Sequence, residues 1–219
     1  ADLVRVCAFV FVRPGAAPTT RNAHQRDEFL ESARRTTWAN ASLERFVCDD
    51  CPTETYKTLP DKTYSLFRRA NDGCDVLVKM DEDGMLCLNR VRRGQLTRST
   101  YAGRMTQARV SMTLAAKRLT VTRTLRSHRR FMRGELPAVM FASGAAYVLG
   151  TDLARRIVKR PLAEYEDTGF EDVNTGVFVS NLRDVQYVHL RGSDRDCRFS
   201  NSSVVLHRCR SFVGVCGSS

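Results

Sequence analysis

Three short runs of mostly apolar, branched residues govern the sheet this chain is able to build: Leu3-Val4-Arg5-Val6-Cys7-Ala8-Phe9-Val10-Phe11-Val12, Val76-Leu77-Val78-Lys79-Met80 and Ala138-Val139-Met140-Phe141-Ala142. Each is too short to span a bilayer. They read as buried strands, the first of them central. Between and after them the apolar spacing changes to the helical period. Residues 22–37 place Phe29, Leu30 and Ala33 on one face. Asp61 is a plausible N-cap for a helix with Thr63, Leu66, Phe67 and Ala70 in a stripe. Thr151 caps another, with Leu153, Ala154, Ile157 and Val158 inward, and Glu171-Asp172-Val173 opens a short one ending near Asn181. Arg45-Phe46-Val47-Cys48 reads as a short strand and Pro14-Gly15 as a turn. Strands alternating with helices, with no repeat or linker among the 219 residues, predict an α/β fold in one layered domain.

The second run ends in Asp81-Glu82-Asp83, and Gly84 marks where the strand stops. Ligands of α/β sheets sit beyond the carboxyl ends of strands. Two carboxylates one residue apart at such an end suit a hard divalent cation that keeps positions open for phosphate oxygens. The chemistry implied is a metal holding the diphosphate of a nucleotide. Alone, such a triplet is more often a solvated turn, so its context has to carry the reading. The third run leads into Ser143-Gly144-Ala145-Ala146, whose small side chains let backbone approach a ligand or a neighbouring strand.

Charge is unevenly placed. Between Gly84 and Gly134 there are 13 Lys or Arg and no Asp or Glu, so almost the whole net charge of +11 lies in that segment. A solvated arginine face is the plain reading; an anion-binding surface for a nucleotide, an acidic glycan or a phospholipid headgroup is the functional one. Aromatic residues are sparse there (Tyr101 and Phe131), and no nucleic-acid-binding signature is present. A nucleic-acid module is therefore the weakest of the readings. The eight cysteines point to disulfides and an oxidising compartment. Cys48-x-x-Cys51 also fits half a zinc site or a redox pair, but nothing completes the ligand set. Two sequons, at Asn40 and Asn201, agree with a lumenal protein.

The order of several pieces is more specific than any one of them. Arg35-Thr36-Thr37-Trp38 comes first, then Leu59, Lys62 and Thr63, then Cys74 before Lys79-Met80-Asp81-Glu82-Asp83. Tyr101-Ala102-Gly103-Arg104, Ser143-Gly144-Ala145-Ala146-Tyr147-Val148-Leu149 and Glu171-Asp172-Val173-Asn174-Thr175-Gly176 follow. This succession resembles the β-1,3-galactosyltransferase family, glycosyltransferase family 31, from about residue 20 to about residue 210. The resemblance implies a GT-A-type fold, a central mixed sheet flanked by helices. In it a nucleotide-binding half, about 1–90, precedes an acceptor half, about 91–219. It implies an inverting enzyme that uses Mn²⁺ or Mg²⁺ to transfer galactose or N-acetylglucosamine from UDP-galactose or UDP-N-acetylglucosamine, making a β-1,3 linkage to a glycan acceptor. That acceptor is acidic if the basic segment reads it. The implied setting is the Golgi or another secretory-pathway lumen, as a type II membrane protein whose anchor lies outside this sequence.

Carried over by position, Asp83 is the direct metal ligand, Asp81 its partner facing the ribose or metal, and His207 a further metal ligand. Lys79, Asp81, Glu82, Gly144 and Glu171 are the nucleotide-sugar residues. Asp172 is the base that takes the acceptor proton. His189 is a weaker metal candidate, His24 and His128 have no supporting context, and Trp38 and Tyr147 are expected in the core. Three departures bear on activity. The segment between Trp38 and Lys57 is short for the family and belongs to the nucleotide half. Ala145 and Ala146 replace glycines, so two methyls are expected to narrow the sugar pocket. Little chain follows Cys216 to build an acceptor wall. These keep a second reading open, an inactive relative that binds a glycan or a partner.

Overall fold

Pairing brings the apolar runs together in a single mixed sheet. The computed structural model describes residues 3–12, 15, 17–48, 58–69, 73–107, 139–165, 168, 170–193, 203–212 and 214–217. In chain order the elements are β1 (Val4–Phe11), α1 (Thr20–Arg34), β2 (Ala39–Phe46), α2 (Leu59–Arg68), β3 (Val76–Met80) and β4 (Met85–Leu86). A 3-10 turn at Leu88–Arg90 leads to β5 (Thr100–Gln107). Then come β6 (Met140–Gly150), α3 (Thr151–Val158), α4 (Glu171–Ser180), β7 (Gln186–His189), β8 (Gly192–Ser193) and β9 (Val205–Leu206). The large sheet has the order β2-β1-β3-β6-β5-β7, and β4-β9-β8 form a small second sheet. β1 pairs in parallel with β2 and β3, while β6 runs antiparallel between β3 and β5. The carboxyl ends of β1, β2 and β3 therefore share one edge.

Alternation along β1 divides the core. Val6, Ala8, Val10 and Val12 face α1, where Phe29 and Ala33 meet them, and the small sheet adds Met85, Leu86, Val205 and Leu206. Phe9 and Phe11 face the other way, onto Phe46 and the inner sides of α2, α3 and α4 at Leu66, Phe67, Leu153, Ile157 and Phe178. α4 sits so close on β6 that a Cβ at Gly176 would lie 2.6 Å from the Met140 carbonyl oxygen. Trp38 is buried, as expected.

Several boundaries differ from the sequence reading for local reasons. β1 is an inner strand, second from the edge rather than central. α1 begins at Thr20 because Thr19 and Asn22 form a reciprocal capping box, the Thr19 hydroxyl accepting from the Asn22 N–H at 3.1 Å. α2 begins at Leu59, ahead of Asp61, with Pro60 in its first turn and Asp61 helical. The edge strand β2 starts at Ala39 and alternates, leaving Asn40, Ser42 and Glu44 exposed. Most informative is β6. The Ser143–Ala146 stretch continues the strand, and Gly150, not Thr151, caps α3.

Cys7 is bonded to Cys74 and Cys87 to Cys216. Cys48 and Cys209 are disulfide-bonded as well, and no cysteine is free among the described residues. The disulfide reading stands for these six, and Cys48 is no zinc ligand; Cys51 lies outside the described residues. Of the basic segment, Arg90 donates to the carbonyls of Ser203 and Val215, at 2.7 and 3.0 Å, and Arg98 bridges Asp75 and Asp152. These two tie the fold together. Arg92 and Arg93 are exposed, and Arg109 to Arg133 lie outside the described residues, as do Ala70, His128 and Asn201. Among the described residues no helix is long and apolar enough to cross a membrane.

Candidate active site

β3 delivers its acids at the edge where the parallel strands end. Asp81 to Gly84 form a tight turn closed by the Gly84 N–H donating to the Asp81 carbonyl at 3.0 Å. The Asp81 N–H donates to the Ala145 carbonyl, also at 3.0 Å. Glycine is required at the end of this turn. A Cβ at Gly84 would stand 2.0 Å from the Ala145 oxygen. The methyls of Ala145 and Ala146 are buried in the core with Met80, Met85 and Leu206. They do not narrow a sugar pocket, contrary to the expectation from the departed glycines.

Beneath the turn lies a buried charged floor. Lys79, on a strand covered on both faces, is 2% exposed and needs anionic partners there. Its ammonium donates to Asp81 Oδ1 at 2.6 Å, to the Gly144 carbonyl at 2.6 Å and to Glu171 Oε2 at 3.2 Å. The rings of Phe11 and Tyr147 flank it, with centroids at 5.3 and 5.6 Å. Burial alone would lower the lysine's affinity for its proton, but the Asp81 and Glu171 carboxylates outweigh burial and raise it. Glu171, at the start of α4, accepts from the Tyr147 hydroxyl at 2.6 Å and the Thr63 hydroxyl at 3.0 Å. Burial holds the Tyr147 phenol well above its ordinary value, so it remains a donor. Lys79 and Glu171, expected to face a nucleotide, are thus placed under the site with their polar atoms engaged by protein. Lys62 is also buried, donating to the Val12 carbonyl at 2.6 Å.

Asp172 follows Glu171 and is half-buried beside Gly144. Its Oδ1 accepts the Val173 N–H at 2.9 Å, and the Gly144 N–H is a further donor. Burial and the adjacent Glu171 charge raise Asp172 to about 7, against the opposing pull of Lys79 and the two N–H groups. Burial likewise raises Asp81 despite Lys79.

At the other end of the turn, Asp83 meets the C-terminal segment. His207, immediately after β9, brings Nε2 to 3.7 Å from Asp83 Oδ1, and the Cys209 N–H donates to the Asp83 carbonyl at 3.0 Å. Glu82 is exposed between the two aspartates. Asp81, by contrast, is turned toward Lys79. Among the described residues, no three His, Cys, Asp or Glu side chains gather closely enough to hold an ion on their own. His189, at the end of β7, and His24, on α1, are exposed.

Gln25 and the Tyr147 hydroxyl escaped the sequence reading. Both had a signal: Gln25 lies on the Phe29 and Ala33 stripe, and a buried phenol needs a partner.

The mixed sheet, with acids at the carboxyl end of an inner parallel strand, has the GT-A-type fold of its glycosyltransferase neighbours. The structure is similar to that of a glycosyltransferase involved in the glycosylation of the major capsid of PBCV-1, with a TM-score of 0.50, 10% identity, and coverage of 96% of this chain and 97% of that one. The catalytic domain of Drosophila beta-1,4-galactosyltransferase 7 in complex with xylobiose gives 0.48 at 10% identity, over 85% of this chain and 64% of that one. A mutant of that enzyme with manganese, UDP-Gal and xylobiose gives 0.45 at the same identity and coverage. No curated protein matches in a sequence comparison. A galactosyltransferase family profile matches residues 35–191, and the chain belongs to that family.

Proposed function

We propose that this chain is an inverting, metal-dependent glycosyltransferase that moves galactose or N-acetylglucosamine from a UDP-sugar to a glycan hydroxyl, forming a β-1,3 linkage. The observation that carries the reading is the pairing of Asp83 and His207, 3.7 Å apart at the end of the acid turn, with Asp172 beside Gly144, whose carbonyl shares the Lys79 ammonium with Asp81. The carboxylate suits Mg²⁺ or Mn²⁺, and the imidazole beside it, a common ligand of first-row transition metals, favours Mn²⁺ of the two. Two protein donors leave most of the coordination sphere for diphosphate oxygens and water. Asp83 and His207 would hold the ion, and Asp81 and the exposed Glu82 would face the nucleotide. When bound, the metal neutralises the departing diphosphate.

The chain's own residues supply the rest. The acceptor oxygen attacks the anomeric carbon while its proton passes to the Asp172 carboxylate, and the bond from that carbon to the diphosphate oxygen breaks, releasing UDP. A base near pH 7 in strength suits that transfer. The nucleoside has a place at the carboxyl ends of β1 and β2. A largely apolar cavity of about 360 Å³ there is lined by Val10, Pro18, Ala23, Leu43, Arg26 and Arg45, among others. Lys79 and Glu171 act from below, holding Asp81 and the start of α4. The disulfides favour a secretory-pathway lumen as the place of reaction.

Calorimetric titration of UDP with Mn²⁺ and with EDTA tests the reading, using the wild type and Asp83→Ala. Micromolar, Mn²⁺-dependent binding that the variant loses is expected. A wild type that binds UDP in neither condition would leave a family fold used as a binding module.

A further inference from the structure

Helix α1 touches both halves of the site through polar side chains that no catalytic step uses. Gln25 is fully buried. Its amide nitrogen donates to the Asp81 carbonyl at 2.8 Å and the Gly84 carbonyl at 2.6 Å, the two ends of the acid turn. Only the nitrogen of the amide can face two carbonyl oxygens, so the orientation is forced. Its oxygen is then buried with no hydrogen-bond partner among the described residues. Leaving an acceptor so is destabilising, and an apolar residue would suit the Phe29 and Ala33 stripe better. Gln25 is therefore poor packing and good carpentry for the turn.

One turn along the helix, Glu28 accepts the Gly214 N–H at 2.9 Å and the Cys216 N–H at 2.7 Å. Arg21 donates to the Cys209 carbonyl and Arg35 to that of Cys216, at 3.3 Å. The segment that carries His207 is thus strapped to the same helix that grips the turn carrying Asp83.

We propose that α1 sets the separation of Asp83 and His207, with Gln25 the positioning residue for the acid turn and Glu28 that for the C-terminal segment. This rests on the reading of Asp83 and His207 as metal ligands. Partners that orient metal ligands from behind typically contribute 10–100-fold in metal affinity.

The test is calorimetric titration of Mn²⁺·UDP into the wild type, Gln25→Met and the control Ser32→Ala. Ser32 is buried on the same helix but donates to the Phe29 carbonyl and accepts from Leu88, away from the turn. Methionine keeps the length of glutamine and removes both donors. Gln25→Met is expected to bind at least about tenfold more weakly, and its Gly84 amide to exchange faster with solvent in the absence of metal. Ser32→Ala is expected to lose stability and keep its affinity. Wild-type affinity in Gln25→Met, or equal weakening in Ser32→Ala, would overturn the proposal and leave the reading of the site intact. A wild type without Mn²⁺-dependent binding would overturn both. If Gln25→Met does not fold, Glu28→Gln, at a half-buried position, puts the other arm to the same titration, and unchanged affinity there counts against the proposal.

Discussion

Removing the Lys79 ammonium tests whether the floor of the site is a coupled ion pair. Lys79 Nζ stands 3.2 Å from Glu171 Oε2, with both side chains all but inaccessible. At an effective dielectric of 20 the attraction at that distance is about 5 kcal/mol, largely offset by desolvation of the two charges. Lys79→Met leaves the Glu171 charge buried, though still bonded to Tyr147 and Thr63, and is expected to cost about 3 kcal/mol. Glu171→Gln leaves Lys79 with Asp81 and the Gly144 carbonyl, and is expected to cost about 2 kcal/mol. With both charges gone, neither orphan remains. The double variant should therefore cost about 2 kcal/mol, a coupling of about 3 kcal/mol. Urea unfolding of the wild type and three variants supplies the cycle, provided the slope with urea is unchanged. Additivity within about 0.5 kcal/mol would refute the coupled floor.

Three further outcomes follow from the same geometry. With Asp172 raised to about 7, kcat/KM should fall as pH drops through that value, because the base must be unprotonated. Asp172→Asn should remove the limb along with about 10²–10⁴ of the rate, and a flat profile in the wild type would contradict the assignment. The stability sign is opposite: a carboxyl that holds its proton more tightly when folded contributes stability at low pH that is lost as pH rises through about 7. Gly84→Ala drives a methyl into the Ala145 carbonyl and should cost about 1–3 kcal/mol by thermal or urea unfolding, with weaker Mn²⁺·UDP binding. Unaltered stability would mean that the turn is less tightly seated than its geometry shows.

What was legible in the sequence was local. Val76–Met80 declared a buried strand through its branching, and Gly84 marked the turn after the acids. The order of motifs led to the family and fold, both upheld by the profile match and the PBCV-1 enzyme's architecture. The continuation of β6 beyond Ala142 was not legible, because Gly144, Ala145 and Ala146 carry no β-branching. Ala146 pairs with Met80 of β3, while Ser143 to Ala145 span the register shift between β6 and β5. The floor was illegible for a related reason. Lys79 and Glu171 are 92 positions apart, and no local period reports a contact closed through space. A lysine inside a five-residue strand buried on both faces was the available hint. Gln25 on the apolar stripe of α1 was another, and neither says where the partner lies.

The strapping of the His207 segment to α1 also orders events during synthesis. α1 and the acid turn leave the ribosome well before His207 and Cys216. At roughly 5–20 residues per second the delay is on the order of ten seconds. Until the late residues arrive, Glu28 of α1 and Arg35 just after it wait without their backbone partners, and Cys87 without Cys216. The turn meanwhile presents its carboxylates without the imidazole. On the proposed metal reading, a nascent chain in this state would offer a cation only one of two ligands, so the site would be completed when the His207 segment has been made rather than when the turn folds.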